Sequence, residues 1–224
     1  MTSTWLKAAE KIVRSINLPP TSISFEVSKL CNLRCTACRR WYYNSSREGY
    51  ISIEKYRQAI DNIGWVKDVN IIGPDGEPLC NPDFNKIIDY NTSKCINTTF
   101  TTNGMLVTPE LVNHWKHHKV SLIGISLDSP NKEEYEILRP GANFNRVIDS
   151  CRLISSAGIP LHLNMIVFES NVDKILDFAR LAKDVGASKV YYIRPQYTGS
   201  YNKNLNPIVT PERITLFSEV KKFL

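Results

Sequence analysis

The stretch "SISFEVSKLCNLRCTAC", residues 22–38, decides the fold. Its first seven residues are rich in β-branched and aromatic side chains and predict a strand over 22–28. Directly behind it, Cys31, Cys35 and Cys38 stand in a CxxxCxxC spacing. A loop that follows a strand in a βα architecture lies at the C-terminal edge of the sheet, where ligands bind. The three thiols are thus expected to converge on a functional face.

Outward from this stretch the strand signal recurs. "VNIIG" at 69–73, "NTTFTTN" at 97–103, "VSLIGISLD" at 120–128, "IPLHLNMIVF" at 159–168 and "SKVYYIRP" at 188–195 all read as strands. Several are almost continuously apolar, as strands buried on both faces of a parallel sheet are. Helix signals lie between them. "ISIEKYRQAIDNIG" has Ser52 as cap and Gly64 as stop, while "NPDFNKIIDY" and "TPELVNHWKHH" each open with a capping residue followed by proline. "NFNRVIDSCRLISSAG" and "NVDKILDFARLAKDVG" close on Gly158 and Gly186. Serial βα units wound by the right-handed crossover rule predict an α/β protein, a parallel open sheet or a barrel.

The composition, 42% hydrophobic and 22% charged over 224 residues, is that of a folded chain of one α/β domain. No run reaches the roughly 20 apolar residues of a membrane span. The N-terminus lacks the continuous apolar centre of a signal peptide, which predicts a cytoplasmic protein in a reducing compartment. Clustered cysteines there point to metal or redox chemistry instead of a disulfide framework. The net charge of +6 comes without a long Lys/Arg block, so it selects no partner: an anionic substrate or nucleic acid is compatible with it, and solvated surface charge explains it as well.

Most sites that hold a metal through sulfur use four ligands. Three thiolates can instead hold three irons of a cubane cluster and leave the fourth iron open for chemistry. A zinc site would want a fourth Cys or His, and no histidine pairs with this loop in sequence. His114 and His118 share an i, i+4 helical face without a HExxH-type glutamate and read as a solvated surface. Cys80, Cys95 and Cys151 are scattered and read as small hydrophobes, Cys80 also as a candidate hydrogen-atom donor.

"CNLRCTAC" resembles the signature of the radical S-adenosylmethionine (SAM) superfamily. From about Ser22 to Pro195 the following segments match it in order: "GPDGEPL" looks like the family's Gly-Gly-Glu region, and "TTNGMLV" and "GISLDSPNKEEYEILRPGANFNRVI" resemble segments of peptide- and cofactor-maturing members. The resemblance implies a partial (β/α)6 TIM-like barrel of parallel strands, with Cys31, Cys35 and Cys38 ligating a [4Fe-4S] cluster whose open iron is chelated by SAM. Its implied activity is reductive cleavage of SAM to methionine and a 5′-deoxyadenosyl radical that abstracts hydrogen from substrate.

The resemblance also assigns cofactor-binding positions. Gly76 and Glu77 would receive the SAM ammonium, with Pro78 fixing the turn; Asn103 lies in the segment after the third strand; Ser126 would contact the SAM carboxylate or ribose. Asp128 is either at the site or a cap of the next turn. Arg139 either pairs with the SAM carboxylate or makes a structural salt bridge. Asn164 and the "YYIRP" backbone would lie near ribose and adenine. Trp41 or Arg40 would lie against adenine, or belong to a packed loop. Asp75 departs from the residue common before Gly-Glu.

Three segments are expected: an N-terminal amphipathic helix over 1–20, a radical SAM core over 21–200, and a C-terminal helix over 201–224 that either ends the protein or precedes a further domain. The core resembles that of members with a SPASM or twitch domain, and no such cysteine-rich tail is present in the sequence. The implied partners are a peptide or protein substrate and a flavodoxin- or ferredoxin-like electron donor. The alternatives are a nucleotide, sugar or RNA substrate, or an inactive homologue with a structural cluster that binds nucleic acid or a protein.

Overall fold

The computed structural model describes residues 19–38, 40 and 49–195. Six strands, β1 (Ser22–Glu26), β2 (Asp68–Ile72), β3 (Asn97–Thr102), β4 (Val120–Ser126), β5 (Leu161–Ile166) and β6 (Lys189–Ile193), form one sheet in chain order. Every neighbouring pair is parallel. Parallel neighbours that follow one another in sequence are joined by crossovers of one hand, the winding of a β/α barrel. Here β1 and β6 are the two edges of the sheet, so the partial (β/α)6 architecture is the observed one.

Between the strands run α1 (Ile53–Ile63), α2 (Phe84–Ser93), α3 (Pro109–His117), α4 (Lys132–Leu138), α5 (Phe144–Ser156) and α6 (Ile175–Asp184). Ser52 caps α1 by accepting from the Lys55 amide, Gly64 closes it at φ 82°, and Thr108 with Pro109 starts α3 as expected. Helix α4 was not anticipated. Its start is written as Asn131, which accepts from the Glu134 amide, followed by Glu133 and Glu134 in the first turn. The "NPDF" start also differs: α2 begins at Phe84, and Asn81 does not cap it. Asn81 is buried, and its amide donates to the Val27 and Ile51 carbonyls at 2.9 and 3.0 Å while its oxygen accepts from the Asp83 amide at 2.8 Å. Both carbonyls lie outside the strands, and a buried backbone acceptor needs a donor.

Alternation along the strands divides the sheet into two faces. Val69, Ile71, Phe100, Ile123, Ile125, Leu161, Leu163 and Met165 are buried beneath the helices. Aromatic rings extend that layer, with Phe100 and Phe84 against Trp115 at centroid separations of 5.0 and 6.2 Å. The opposite face carries half-buried Asn70, Thr99, Thr101, Ser126 and Asn164. Gly124 keeps that face open. A Cβ there would stand 2.8 Å from Thr101 Oγ1 and 3.1 Å from Asn164 Nδ2.

The strands end one to two residues before their predicted C-termini at β1, β2, β3, β4, β5 and β6. At those ends the backbone turns from its ladder partners to the loops, as where Ser28 bridges Tyr50. Residues 1–18 of the expected N-terminal helix, the C-terminal helix over 201–224 and Trp41 lie outside the described residues.

Candidate active site

The three-cysteine loop leaves β1 and is clamped on both sides. The Lys29 amide donates to the Gly49 carbonyl at 2.8 Å and the Glu77 amide to the Leu30 carbonyl at 2.7 Å. On the other side the Arg34 and Thr36 amides donate to the Pro140 and Leu138 carbonyls at 3.1 and 2.9 Å, fixing the loop to the end of α4. Within it the Cys38 amide donates to the Cys35 carbonyl at 3.1 Å, so the last two cysteines share one turn. All three are free thiols, partly buried, and open into one cavity of about 350 Å³. Its wall is completed by Gly76, Glu77, Asn103, Ser126, Asp128 and Arg139 from the ends of β2, β3 and β4 and from the end of α4. Small-molecule sites span roughly 300–1,000 Å³. All the predicted site residues except Pro78 and Asn164 therefore come together at the C-terminal rim of the sheet.

Gly76 is held by the fold itself. A Cβ on it would sit 2.1 Å from the Ser28 carbonyl oxygen and 2.8 Å from Lys29 Cα, so the 73–78 loop can lie on the cysteine loop only with glycine here. Asp75, the departure from the family pattern, has its amide donating to Glu26 Oε1 at 2.9 Å. Arg40, 8% exposed, reaches from beyond the third cysteine to the Lys29 carbonyl and, at 3.3 Å, to that of Asp75. It ties the two loops together and belongs to a packed loop.

Glu77 is buried and already engaged. Its Oε1 accepts from Thr102 Oγ1 at 2.5 Å and from the Leu79 amide at 3.2 Å, and its Oε2 from the Asn103 amide at 2.8 Å. Burial pushes its carboxyl above the usual carboxylate range, and the three donors pull in the opposite direction. The side chain braces the 73–78 loop against the end of β3. Asn103 extends the brace, its side-chain Nδ2 donating to Asn32 Oδ1 in the cysteine loop at 2.8 Å.

Asp128 and Arg139 form a buried ion pair, Nε to Oδ2 2.8 Å, with side chains 3% and 9% exposed. Asp128 Oδ1 accepts from the Ile166 amide at 3.0 Å, so this carboxylate ties β4 to the end of β5, and Asn131, not Asp128, caps α4. Arg139 Nη1 lies 3.9 Å from Cys35 Sγ. The salt bridge, one of the two readings the sequence offered for Arg139, is in place. Asn171, which the sequence reading passed over, is fully buried and donates to the Asp128 and Ile166 carbonyls at 2.7 and 2.9 Å. "ESNVDK" carries no signal for that role beyond an asparagine beside a helix start.

Two predicted positions stay off the wall. Pro78 is buried at the first position of a 3₁₀ turn, Pro78–Cys80, behind Glu77. Asn164 stands opposite Ser126 in the β4–β5 register, against Thr101 across Gly124, below the cavity. Cys80 is partly buried with its Sγ 4.0 Å from Asn32 Oδ1.

The thiols fit a metal centre. Burial pushes Cys31 up to about 11 and raises Cys35 and Cys38, with Arg139 opposing the rise at Cys35 and the Arg40 amide at Cys38. Such sulfurs stay protonated at neutral pH unless a cation is bound, and a coordinated metal deprotonates a thiol outright. Three soft sulfur donors that open into one cavity and leave room beside them suit an iron–sulfur cluster with an open position.

A family model described as the Radical SAM superfamily matches residues 25–182. The AdoMet-dependent heme synthase of Methanosarcina barkeri (strain Fusaro / DSM 804) is 29% identical over 207 residues, covering 91% of this chain and 59% of its own. The antilisterial bacteriocin subtilosin biosynthesis protein AlbA of Bacillus subtilis (strain 168) is 35% identical over 179 residues, 77% of this chain and 39% of its own. The chain spans only part of the length of these relatives. Streptococcus suis SuiB bound to S-adenosylmethionine superposes with a TM-score of 0.73 at 18% identity over 97% of this chain and 51% of that one. SuiB has also been solved with the precursor peptide SuiA, at a TM-score of 0.72, 17% identity and coverage of 97% and 49%.

Proposed function

The chain belongs to the radical SAM superfamily, and from that premise we propose that it is the core of a radical SAM enzyme whose substrate is a peptide or protein. One observation carries the reading: the three cysteines share a single cavity with Gly76, Asn103 and Ser126 at the C-terminal rim of the sheet. Cys31, Cys35 and Cys38 would hold a [4Fe-4S] cluster, and the rest of the wall would seat SAM. When bound, this pair supplies one-electron reductive cleavage of a sulfonium and, from it, hydrogen abstraction from substrate.

The chain's own residues position and shield. Glu77 and Asn103 lock the ends of β2 and β3 to the cysteine loop through the hydrogen bonds already described. Ser126, partly exposed on the wall, offers a hydroxyl to a carboxylate or ribose. Arg139, fixed by Asp128, holds a guanidinium toward Cys35 and offsets negative charge on that sulfur. The apolar side chains of Leu33, Ala37, Ile166 and Ile193 line the wall between these polar groups.

A peptide substrate is supported by the SuiB structure that holds a precursor peptide; among the described residues β1 and β6 are not paired with one another. A flavodoxin- or ferredoxin-like donor would supply the electron. The reducing cytoplasm suits the six free cysteines, and among the described residues no helix is long and apolar enough to cross a membrane.

Anaerobic reconstitution with iron and sulfide, reduction by dithionite and addition of SAM should yield 5′-deoxyadenosine. Cys35→Ala should abolish both the brown colour and the product. A colourless wild-type protein, or product that persists in Cys35→Ala, would defeat the assignment.

A further inference from the structure

At the other end of the sheet from the cysteines, α2 and α3 bring together Asp89, His114 and His118. The two imidazoles come from one face of α3 and stack with centroids 4.0 Å apart and planes at 24°. Both aim Nε2 at the same carboxylate oxygen, Asp89 Oδ1, at 2.8 and 3.2 Å. The donor atoms of the three residues all lie within 4.8 Å of one another. Two features separate this cluster from an ordinary surface ion pair. His118 Nδ1 is 2.6 Å from the His114 carbonyl, which makes Nδ1 the donor there and turns Nε2 toward Asp89. His114 Nε2 is shut off from solvent and makes no hydrogen bond, although Asp89 Oδ1 is near. A ring nitrogen and a carboxylate oxygen at this distance need a positive charge between them, a proton or a metal ion.

We propose that Asp89, His114 and His118 form a second metal site, distinct from the cysteine cluster, that takes a borderline divalent cation such as Zn²⁺. Two imidazoles and one carboxylate are a donor set for that class of ion. With metal–ligand distances near 2.0–2.1 Å, tetrahedral ligand atoms stand about 3.3 Å apart, and the two imidazole-to-carboxylate separations, 2.8 and 3.2 Å, lie within about half an ångström of that. The backbone that would have to hold it is rigid. One turn from Asp89, Asn85 accepts from Trp115 Nε1 at 3.2 Å, and Trp115 itself is wedged against Phe84 and Phe100 in the core. The ion would pin α2 to α3 at their C-terminal halves and leave its fourth position to water.

Calorimetric titration of Zn²⁺ into the full chain with its cysteines occupied by the reconstituted cluster tests the site. One equivalent should bind the wild type and His117→Ala, whose exposed imidazole bonds only to its own helix. His118→Ala and Asp89→Asn should each weaken that binding by at least about tenfold, and saturating Zn²⁺ should raise the melting temperature of the wild type and not of Asp89→Asn. Equal binding in both variants, or none to the folded wild type, would overturn the proposal and leave the imidazoles closed on Asp89 by a proton alone. Circular dichroism on each variant confirms that the fold is intact.

Discussion

At the C-terminal rim of the sheet the protein buries charge; on the helix-covered face it buries hydrocarbon. Glu77, Asp128 and Arg139 are 3%, 2% and 8% exposed, as covered as many core side chains, yet each is held by hydrogen bonds to another chain segment. On the covered face Phe100, Trp115, Ile123 and Phe178 are sealed by one another. The covered face is stabilised by the area it removes from water. The rim is stabilised only while every polar partner is present, because a buried charge that loses its partner keeps its desolvation penalty. Position is what the rim obtains: its braces run from the cysteine loop to β2, β3, β4 and β5, and they fix the cavity wall.

Single and double substitutions should separate the two kinds of region. Phe100→Ala removes a fully buried ring and should cost about 3–5 kcal/mol, with no second change that restores it cheaply. Arg139→Met leaves Asp128 buried without its cation and should cost a similar 3–5 kcal/mol. Adding Asp128→Leu should return much of that loss, since an ion pair replaced by hydrocarbon of similar volume is often neutral in stability. The Ile166 amide then loses its acceptor, which keeps the recovery incomplete. Denaturant unfolding of the four proteins measures this. If the double variant is no more stable than Arg139→Met, the rim owes its stability to packing and the contrast between the regions disappears.

Glu77→Gln is the gentler probe. The amide keeps the shape but can accept on one side only, so one of the donors at Thr102, Leu79 and Asn103 loses its acceptor. The expected cost is about 1–3 kcal/mol. Loss of SAM binding without loss of stability would instead make Glu77 a ligand whose bracing is incidental. Both can be read on one preparation, by unfolding and by equilibrium dialysis with SAM.

How much of this was legible in the sequence follows the same division. The covered face could be read because hydrocarbon must repeat with the period of its element: among the described residues, six strands and five of six α-helices came from that periodicity and from their caps. Helix α4 escaped because its seven residues, "KEEYEIL", are too few for a period, although Asn131 and two glutamates marked its start. The rim was legible only as residue types in a family pattern. Gly76 could be named, but not that the Ser28 carbonyl is what excludes a side chain there. Glu77 was expected to face a ligand and Arg139 either a ligand or a salt-bridge partner; what the sequence did not show is that they also pair with the Asn103 amide and Asp128, 26 and 11 positions away in the chain. Nothing local encodes such distant pairing. For the same reason His114 and His118 read as a solvated face: the carboxylate that makes them a cluster sits on the preceding helix.

Two thiols bring the comparison down to single atoms. Cys31 at the rim and Cys151 on α5 are both raised by burial, to about 11 and about 12. The thiolate is the nucleophile, so at pH 8 a thiol of the first kind is reactive in only about one molecule per thousand. Raising the pH toward 11 should therefore speed alkylation of Cys31 in the metal-free chain by about tenfold per unit. Cys151 is fully covered by the helix layer and should gain nothing from pH while the protein stays folded, since no reagent reaches it. Iodoacetamide labelling with peptide-resolved mass spectrometry at pH 7, 8, 9 and 10 compares them directly. Parallel rise at both positions would mean that the covered face opens as readily as the rim. Rise at Cys31 alone, abolished once iron and sulfide are bound, would show one burial that is a closed core and another that is a site waiting for its cation.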